Sequence, residues 1–240
     1  MKHPITRIFF NAINLIATSK RRYLVSSHFS SIFVIFSSFF VVACSALPDK
    51  PMRSLMYDFG PGALAPQPTT RLAPLPPLAI DDISTPGGAL DNMAVLYRLG
   101  YADAQQLRPY SLARWSMPPA SLVAQRLRSQ LGQRRSIFNA GASAALNRSQ
   151  NATLPPLLRM ELEEFSQVFI APETSVGVIR MRVTLLEVTT AGEKLVGQRS
   201  VVVQRPAPSP DAAGGVRALT AATDAAIEEI DQWLQQTPAR

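Results

Sequence analysis

The chain has 240 residues, of which 24 are Lys or Arg and 17 are Asp or Glu, so its formal net charge is +7. Residues 1–43 hold five of the basic side chains and no acidic one, which leaves 19 basic against 17 acidic residues in the remainder. That near balance, with no dense basic patch and no interleaving of aromatic and basic side chains, argues against a nucleic-acid-binding protein.

The only cysteine, Cys44, stands at the end of an apolar run, in the sequence Val41-Val42-Ala43-Cys44. The basic cluster Lys20-Arg21-Arg22 comes first and the apolar run Ile32–Val42 follows it, which is the order found in a secretory signal peptide. The end of the run resembles the lipobox of bacterial lipoproteins, where the chain is cut before a cysteine that then carries lipid.

We therefore predict a lipoprotein signal peptide over residues 1–43, cleavage between Ala43 and Cys44, lipid on Cys44 and a tether over residues 44–52. An uncleaved anchor helix is one alternative, because the uncharged stretch 23–47 is long enough to cross a bilayer. A buried helix of a cytosolic protein is the other.

Both histidines, His3 and His28, lie within residues 1–43. After cleavage the chain has no histidine, and lipid on Cys44 leaves no free thiol. A Ser-His-Asp or Cys-His nucleophile, a His/Cys metal site and a disulfide are then excluded. The prediction is a protein that is not an enzyme, has no cofactor or metal, and is stabilised by an ordinary apolar core.

In chain order, the first predicted elements are three strands, Arg53–Phe59, Leu78–Ile83 and Met93–Leu99. The proline-rich stretch Ala63–Pro77 separates the first two and is predicted to be an extended loop. The next element is a helix, because serine before two prolines is a start signal and glycine after the last apolar residue is a stop signal. Its predicted range is Pro118–Leu131, and a short strand over Ile137–Asn139 follows.

The clearest β pattern lies between Leu157 and Gln204. Apolar side chains alternate with polar ones from Ile179 to Leu185, which indicates a strand with one buried face. A hairpin turn over Thr190–Glu193 leads into a third strand. Earlier in this region the alternation changes phase at Phe165, which predicts a bulge. These three strands are predicted to form an antiparallel meander.

The last predicted elements are a break over Arg205–Gly215, with Gly214-Gly215 as a turn pair, and an amphipathic helix from Val216 to Leu234. The predicted fold class is α/β (α+β): a two-layer sandwich with a mixed, mostly antiparallel sheet and two main helices packed on one face. A single domain is predicted over residues 53–236.

Two groups of carboxylates and a pair of arginines are candidates for chemistry, but their spacing favours solvent-exposed faces of a strand and of a helix. Tyr97, Trp115 and Trp233 are interpreted as core packing. The polar groups in question are Glu161, Glu163 and Glu164; Glu228, Glu229 and Asp231; and Arg134-Arg135.

Spaced aromatic and basic residues carry a resemblance to a family. They are Val95-Leu96-Tyr97-Arg98, Tyr101, Leu107-Arg108-Pro109-Tyr110 and Ala113-Arg114-Trp115-Ser116-Met117-Pro118-Pro119. Together with the lipobox, an early tyrosine strand (Met56-Tyr57-Asp58) and a closing helix, this pattern resembles the ABC-type transport auxiliary lipoproteins, which include the lipoprotein of the paraquat-inducible system. The resemblance covers most of residues 44–236. It departs from the family in a long proline-rich stretch over 61–77 and an insertion over Ala207–Gly215.

The resemblance implies a non-catalytic component of a lipid transport system in the cell envelope. The implied partners are a periplasmic protein with a mammalian-cell-entry domain, an ABC permease and its ATPase, with phospholipid or another hydrophobic molecule as cargo. Ser45, where an aspartate would favour the inner membrane, implies a lipid anchor in the outer membrane with the domain facing the periplasm. Self-association into a homo-oligomer is left open.

Two other functions stay open beside this one. The first is a structural or assembly lipoprotein of the outer membrane without a transport role. The second is a periplasmic serine hydrolase, for which Lys50 and Lys194 are the only lysines available as a base after residue 43.

Overall fold

The computed structural model describes residues 52–61, 73–140, 154–189 and 191–237, all within a unit that begins at Met52. The elements in this part of the chain are β1 Leu55–Tyr57, β2 Leu78–Ile80, β3 Ala94–Leu99, β4 Asp103–Trp115, α1 Pro119–Leu131, β5 Ile137–Asn139, β6 Leu157–Ala171, β7 Thr174–Thr189, β8 Gly192–Pro206 and α2 Ala212–Gln236. The predicted signal peptide, the cleavage site, Cys44 and most of the proline-rich loop lie outside the described residues.

The predicted antiparallel meander is confirmed as strands β6, β7 and β8. β6 pairs with β7 along its whole length, and β7 pairs with β8 from Val176 to Thr189. The register shifts between Leu162 and Glu164, which confirms the predicted bulge just before Phe165. Because of this shift, Phe165 points into the core on the same side as the buried residues that precede the bulge.

β6 is the strand from which the rest of the sheet branches. Near its start it pairs in parallel with β2, which in turn pairs with β5. Near its end it pairs in parallel with β3, and β4 and then β1 follow β3 outward. The sheet is therefore mixed, as predicted, with an antiparallel half and parallel contacts on the other side of β6.

The core lies between this sheet and the two helices, which confirms the predicted α/β class. α1 buries the predicted stripe of Leu122, Val123, Leu127 and Leu131. α2 packs on β6, β7 and β8 and also contacts α1. Close contact with the sheet is possible at Gly177, where a built Cβ would stand 2.6 Å from backbone atoms of α2.

The prediction missed the longest strand on the β3 side, β4. The sequence of β4 is mostly polar, and its side chains show no simple alternation of exposure. Pro109 also argues against a strand, since proline cannot donate a ladder hydrogen bond. In the structure the register between β3 and β4 shifts between Ala94 and Leu96, just where Pro109 is accommodated.

The predicted break over Arg205–Gly215 was too long, and its glycine pair is not a turn. β8 continues to Pro206, and α2 begins at Ala212. Asp211 caps this helix, because its Oδ1 accepts a hydrogen bond of 2.7 Å from the Gly214 amide. Gly215 lies in the first turn, where a side chain would overlap that of Gln167. Close packing explains the glycine there.

Candidate functional site

The predicted functional residues, Ala43 and Cys44, precede the described part of the chain. The described part begins at Met52 and enters the fold through β1, an edge strand that pairs with β4 alone among the described strands. In this part of the protein, no helix is long and apolar enough to cross a membrane. Nor do the Asp and Glu side chains of this part form a group that could hold a metal ion.

Three aromatic rings connect this entry point to the core. Trp115 lies edge-on to Phe59, with ring centroids 5.7 Å apart, and its ring centroid is 5.6 Å from that of Phe165. All three side chains are buried. Nearby, the Ser116 amide donates a 2.7 Å hydrogen bond to the Tyr57 carbonyl. The predicted core role of Trp115 is confirmed, and no pattern in the sequence predicts Phe59 and Phe165 as its partners.

A second aromatic group carries a buried polar network. Tyr97 stacks against Tyr110 with centroids 4.6 Å apart. The Tyr110 hydroxyl donates to Gln167 Oε1 at 2.8 Å, and Gln167 Nε2 donates to Ser175 Oγ at 2.7 Å. Burial raises the pKa of the Tyr110 hydroxyl far above its ordinary value, so the group stays protonated and serves as a donor. The network therefore stabilises the fold and has no group poised for acid–base chemistry.

Arg98 joins strands β3, β4 and β6. Its guanidinium forms a two-point ion pair with Glu164, at 3.2 Å from Nε and 3.0 Å from Nη2. Its Nη1 donates to the carbonyls of Ala104 and Gln105 at 3.2 and 3.1 Å. This planar fork is a geometry that lysine cannot reproduce. The arginine of the family pattern is thus a structural clip between strands.

The two carboxylate groups are paired with arginines, which supports a structural role for them. Glu161 and Glu163 both contact Arg182, at 3.4 and 2.6 Å. In α2, Glu229 contacts Arg199 at 2.5 Å. The Asp231 carboxylate accepts from Arg135.

The expectation that Arg135 is solvated is wrong. Its side chain is only 6% exposed, because the pair with Asp231 holds it against α2. The sequence offered no signal for this, since the partner is 96 residues away in the chain. Arg134, its neighbour, instead uses its backbone carbonyl to accept a 2.8 Å hydrogen bond from the Leu75 amide.

Three surface cavities differ in the polar side chains that line them. One of about 610 Å³ lies between α1 and α2, and its lining includes Asp224, Glu228 and Asp231 but no hydroxyl side chain. Asp224 is already held by Arg126 at 2.6 Å. Two others, of about 720 and 300 Å³, are each lined by one hydroxyl side chain and no carboxylate. None of the three linings combines a nucleophile with a base.

The family is shown by comparison with known proteins. A model of the family described as "ABC-type transport auxiliary lipoprotein component" matches residues 57–231, well over half of the chain. The chain belongs to this family. No curated protein matches it. The matched range begins at Tyr57 and ends within α2, so it contains both aromatic groups and the Arg98 clip. In this auxiliary lipoprotein, part of the family pattern is structural: Val95, Leu96 and Trp115 are buried, and Arg98 joins three strands, whereas Tyr101 and Met117 are exposed.

Solved structures agree with the fold of this auxiliary lipoprotein. Protein XCC0632 from Xanthomonas campestris, of the DUF330 family, is 16% identical over 77% of this chain and 94% of its own, with a TM-score of 0.56. An uncharacterised protein is 13% identical over 78% of this chain and 99% of its own, with a TM-score of 0.50. Lipoprotein GNA1162 from Neisseria meningitidis is 14% identical over 66% and 99%, with a TM-score of 0.26. At these identities the first two show the fold alone.

Proposed function

We propose that this protein is a non-catalytic auxiliary component of an ABC-type intermembrane lipid transport system of the mammalian-cell-entry type. It is anchored by lipid on Cys44 in the outer membrane, and its domain faces the periplasm. Its partners are a periplasmic mammalian-cell-entry-domain protein, an ABC permease and an ATPase. Its cargo is phospholipid or another hydrophobic molecule.

The observation that carries this proposal is the family match over residues 57–231, together with a lipobox cysteine a few residues before it. The match names an auxiliary component of ABC-type transport and the lipoprotein class, and the lipid cargo and the mammalian-cell-entry partner come from the resemblance of the sequence. Cys44 supplies the attachment point that this class needs, since each acyl methylene that enters the bilayer contributes about 0.8 kcal/mol. Two or more chains on one cysteine hold the protein on the membrane almost permanently.

A non-catalytic role is supported by the chemistry of the described residues. The buried polar network of Tyr110 and Gln167 has its hydrogen bonds satisfied, and the clustered carboxylates are largely held in ion pairs. These are groups that stabilise strands and helices. What such a domain offers a transport system is a rigid surface held at the membrane.

The anchor is tested by labelling growing cells with a palmitate analogue. We expect label on the wild-type protein and none on Cys44→Ser, with the variant retaining residues 1–43 or leaving the membrane fraction. Ser45→Ala is the matched control and keeps the label. Equal labelling and equal processing of wild type and Cys44→Ser would refute the anchor.

The transport role is tested by affinity purification from detergent-solubilised membranes. We expect a mammalian-cell-entry-domain protein or its ABC permease to be recovered with the wild-type protein. Recovery of β-barrel or lipopolysaccharide assembly proteins in their place would favour the alternative, a structural lipoprotein of the outer membrane without a transport role.

A further inference from the structure

Exposed apolar side chains are concentrated at one edge of the sheet. Ten large apolar side chains are exposed in the described residues. Six of them lie on or just before β1, on or just after β4, or just before β3. This β1-edge cluster consists of Met52, Leu55, Met56, Met93, Leu112 and Met117. Exposed apolar patches on a soluble domain mark surfaces that bind something.

Backbone pairing brings the cluster together. β1 runs parallel to the end of β4, with Leu55 opposite Ala113 and Met56 opposite Arg114. The Met93 carbonyl accepts a 2.7 Å hydrogen bond from the amide that follows Arg114. Neighbouring strands are about 4.8 Å apart and side chains alternate between the two faces. Met56 therefore lies beside Arg114 on one face, with Leu112 on the same face of β4, and Leu55 lies at the same edge on the opposite face.

The exposure of β1 itself is unusually high for apolar residues in a strand. Within β1, Leu55 is 61% exposed and Met56 68%, and Met52, three residues before the strand, is 74% exposed. The cause is position, since β1 is an edge strand. Edge strands in soluble proteins are usually protected by charge or by a covering segment. Three large apolar side chains at such an edge therefore indicate a contact surface.

Charges of both signs lie beside the cluster, and the arginines are the ones without a local partner. The exposed Asp91, two residues before Met93, accepts a hydrogen bond from the Thr85 hydroxyl. Arg53 and Arg114 are exposed, and neither has a carboxylate partner among the described residues. The nearest acid along β1, Asp58, is used locally, because its Oδ1 accepts a 2.8 Å hydrogen bond from the Gly60 amide. Apolar side chains flanked by arginines are complementary to an anionic phospholipid surface, where the apolar groups enter the interface and the guanidinium groups meet phosphate.

The length of the chain between Cys44 and the cluster also favours a membrane surface as the binding partner. Met52 follows Cys44 by eight residues. Eight residues span at most about 29 Å when fully extended. If Cys44 carries the lipid, Met52 therefore stays within that distance of the bilayer and Leu55, the first residue of β1, within about 40 Å. A weak contact is then strengthened by the high effective concentration of lipid.

We propose that the β1-edge cluster binds the surface of an anionic phospholipid bilayer and so sets the orientation of the domain on its membrane. The biological orientation rests on the proposed lipid anchor at Cys44. Binding of the cluster to lipid does not, so the two can fail separately.

The test uses the chain from Ser45 to Arg240 without lipid, because the buried core of the described residues runs from Phe59 to Leu234. Co-sedimentation is measured with vesicles of phosphatidylcholine and phosphatidylglycerol in equal parts. We expect binding by the wild type. The double variant Leu55→Asp with Met56→Asp should bind about tenfold more weakly, which equals about 1.4 kcal/mol.

Two matched control positions are available elsewhere on the surface. Ile170 is 59% and Leu195 60% exposed, close to the value for Leu55, and both lie outside the cluster. The double variant Ile170→Asp with Leu195→Asp adds the same two negative charges and should bind as the wild type does. Arg114→Gln should weaken binding at low salt and have little effect at high salt, because screening already removes its contribution there.

Three results would overturn the proposal: no vesicle binding by the wild type, an equal loss in the control double variant, or a cluster that mediates self-association. In the last case sedimentation velocity without lipid would show oligomers that the double variant abolishes. If the aspartate variant lost its far-ultraviolet circular dichroism signal, Leu55→Ser with Met56→Ser would replace it. Palmitate labelling of Cys44 is unaffected by any of these results, so it tests the anchor independently.

Discussion

Replacing Gly177 by alanine is expected to destabilise the domain, although alanine is usually the better residue in a strand. Gly177 lies on β7 where α2 crosses it. A Cβ built at this position would stand 2.6 Å from the carbonyl carbon of Ala218 and 2.6 Å from the amide nitrogen of Leu219. Both atoms belong to the helix backbone, so no change of side-chain rotamer relieves the overlap and α2 must move outward.

Two effects of opposite sign decide the magnitude. Alanine in place of glycine gains about 0.5–1 kcal/mol in a strand, because the unfolded chain loses conformational freedom. Forcing an extra methyl group into a packed contact costs about 1–3 kcal/mol. Since the contact here is with backbone, the upper part of that range applies, and the free energy of unfolding should fall by about 1–2 kcal/mol. For a domain of this size, each kcal/mol lowers Tm by about 2–4 °C.

Urea unfolding and thermal melting of the chain from Ser45 to Arg240 measure this change. Gly197→Ala is the matched control on the adjacent strand, where the built Cβ is 3.2 Å from a ring atom of Trp233, a side chain that can shift. The control should change the free energy of unfolding by less than about 1 kcal/mol. A Gly177→Ala variant as stable as the wild type, with an unchanged urea m-value, would show that α2 does not lie this close to β7.

Two further predictions concern buried and capping polar groups. Tyr110→Phe should lower the free energy of unfolding by about 1–3 kcal/mol, because Gln167 Oε1 is left buried without a donor; an unchanged urea midpoint would contradict this. The pKa of Asp211 is lowered from 3.8 by hydrogen bonds from the Gly214 amide and the Ser209 hydroxyl. Its stabilising effect is therefore complete above about pH 4 and is lost as the pH falls through the lower pKa of the folded state. The difference in Tm between the wild type and Asp211→Asn should be constant above pH 5 and should change in the acid range where Asp211 titrates. A difference in Tm that stays constant down to pH 2 would refute this prediction.

The elements that could be predicted from the sequence are those with local patterns. Alternation from Ile179 to Leu185 predicted β7, and the phase change at Phe165 predicted the bulge in β6. The helical spacing after Gly215 predicted α2, although its start lies at Ala212. In each case a face of the element meets the core along its whole length, so burial repeats at a fixed interval in the sequence.

The elements that the sequence did not reveal depend on distant contacts. β4 is a strand because it lies between β1 and β3, and its polar composition gives no periodic sign of this. The parallel contacts of β6 with β2 and β3 join residues about 70 or more apart. Arg135 is buried because Asp231 faces it across the helix pair. Sequence spacing cannot reveal such partners, because the local sequence around an arginine can be the same whether its side chain is solvated or in an ion pair.

The two glycines at the start of α2 also show that contacts with distant residues cannot be predicted from local sequence. The sequence predicts a turn at Gly214-Gly215 because glycine pairs commonly mark turns. The described glycines with positive φ are Gly60, Gly87, Gly88 and Gly192. Gly215 is instead needed for the space that the Gln167 side chain occupies. Whether a glycine serves conformation or close packing becomes visible only once its neighbours are known.

The position of the aromatic groups explains how the β1 edge is joined to the rest of the domain. β1 has only three residues and would be held weakly by its pairing with β4 alone. The buried ring of Phe59, two residues after β1, packs against Trp115 and Phe165 and so fixes the edge to the centre of the sheet. Trp115 ends β4 and leads into α1. A contact made at the β1 edge is therefore connected through buried rings to both β6 and α1.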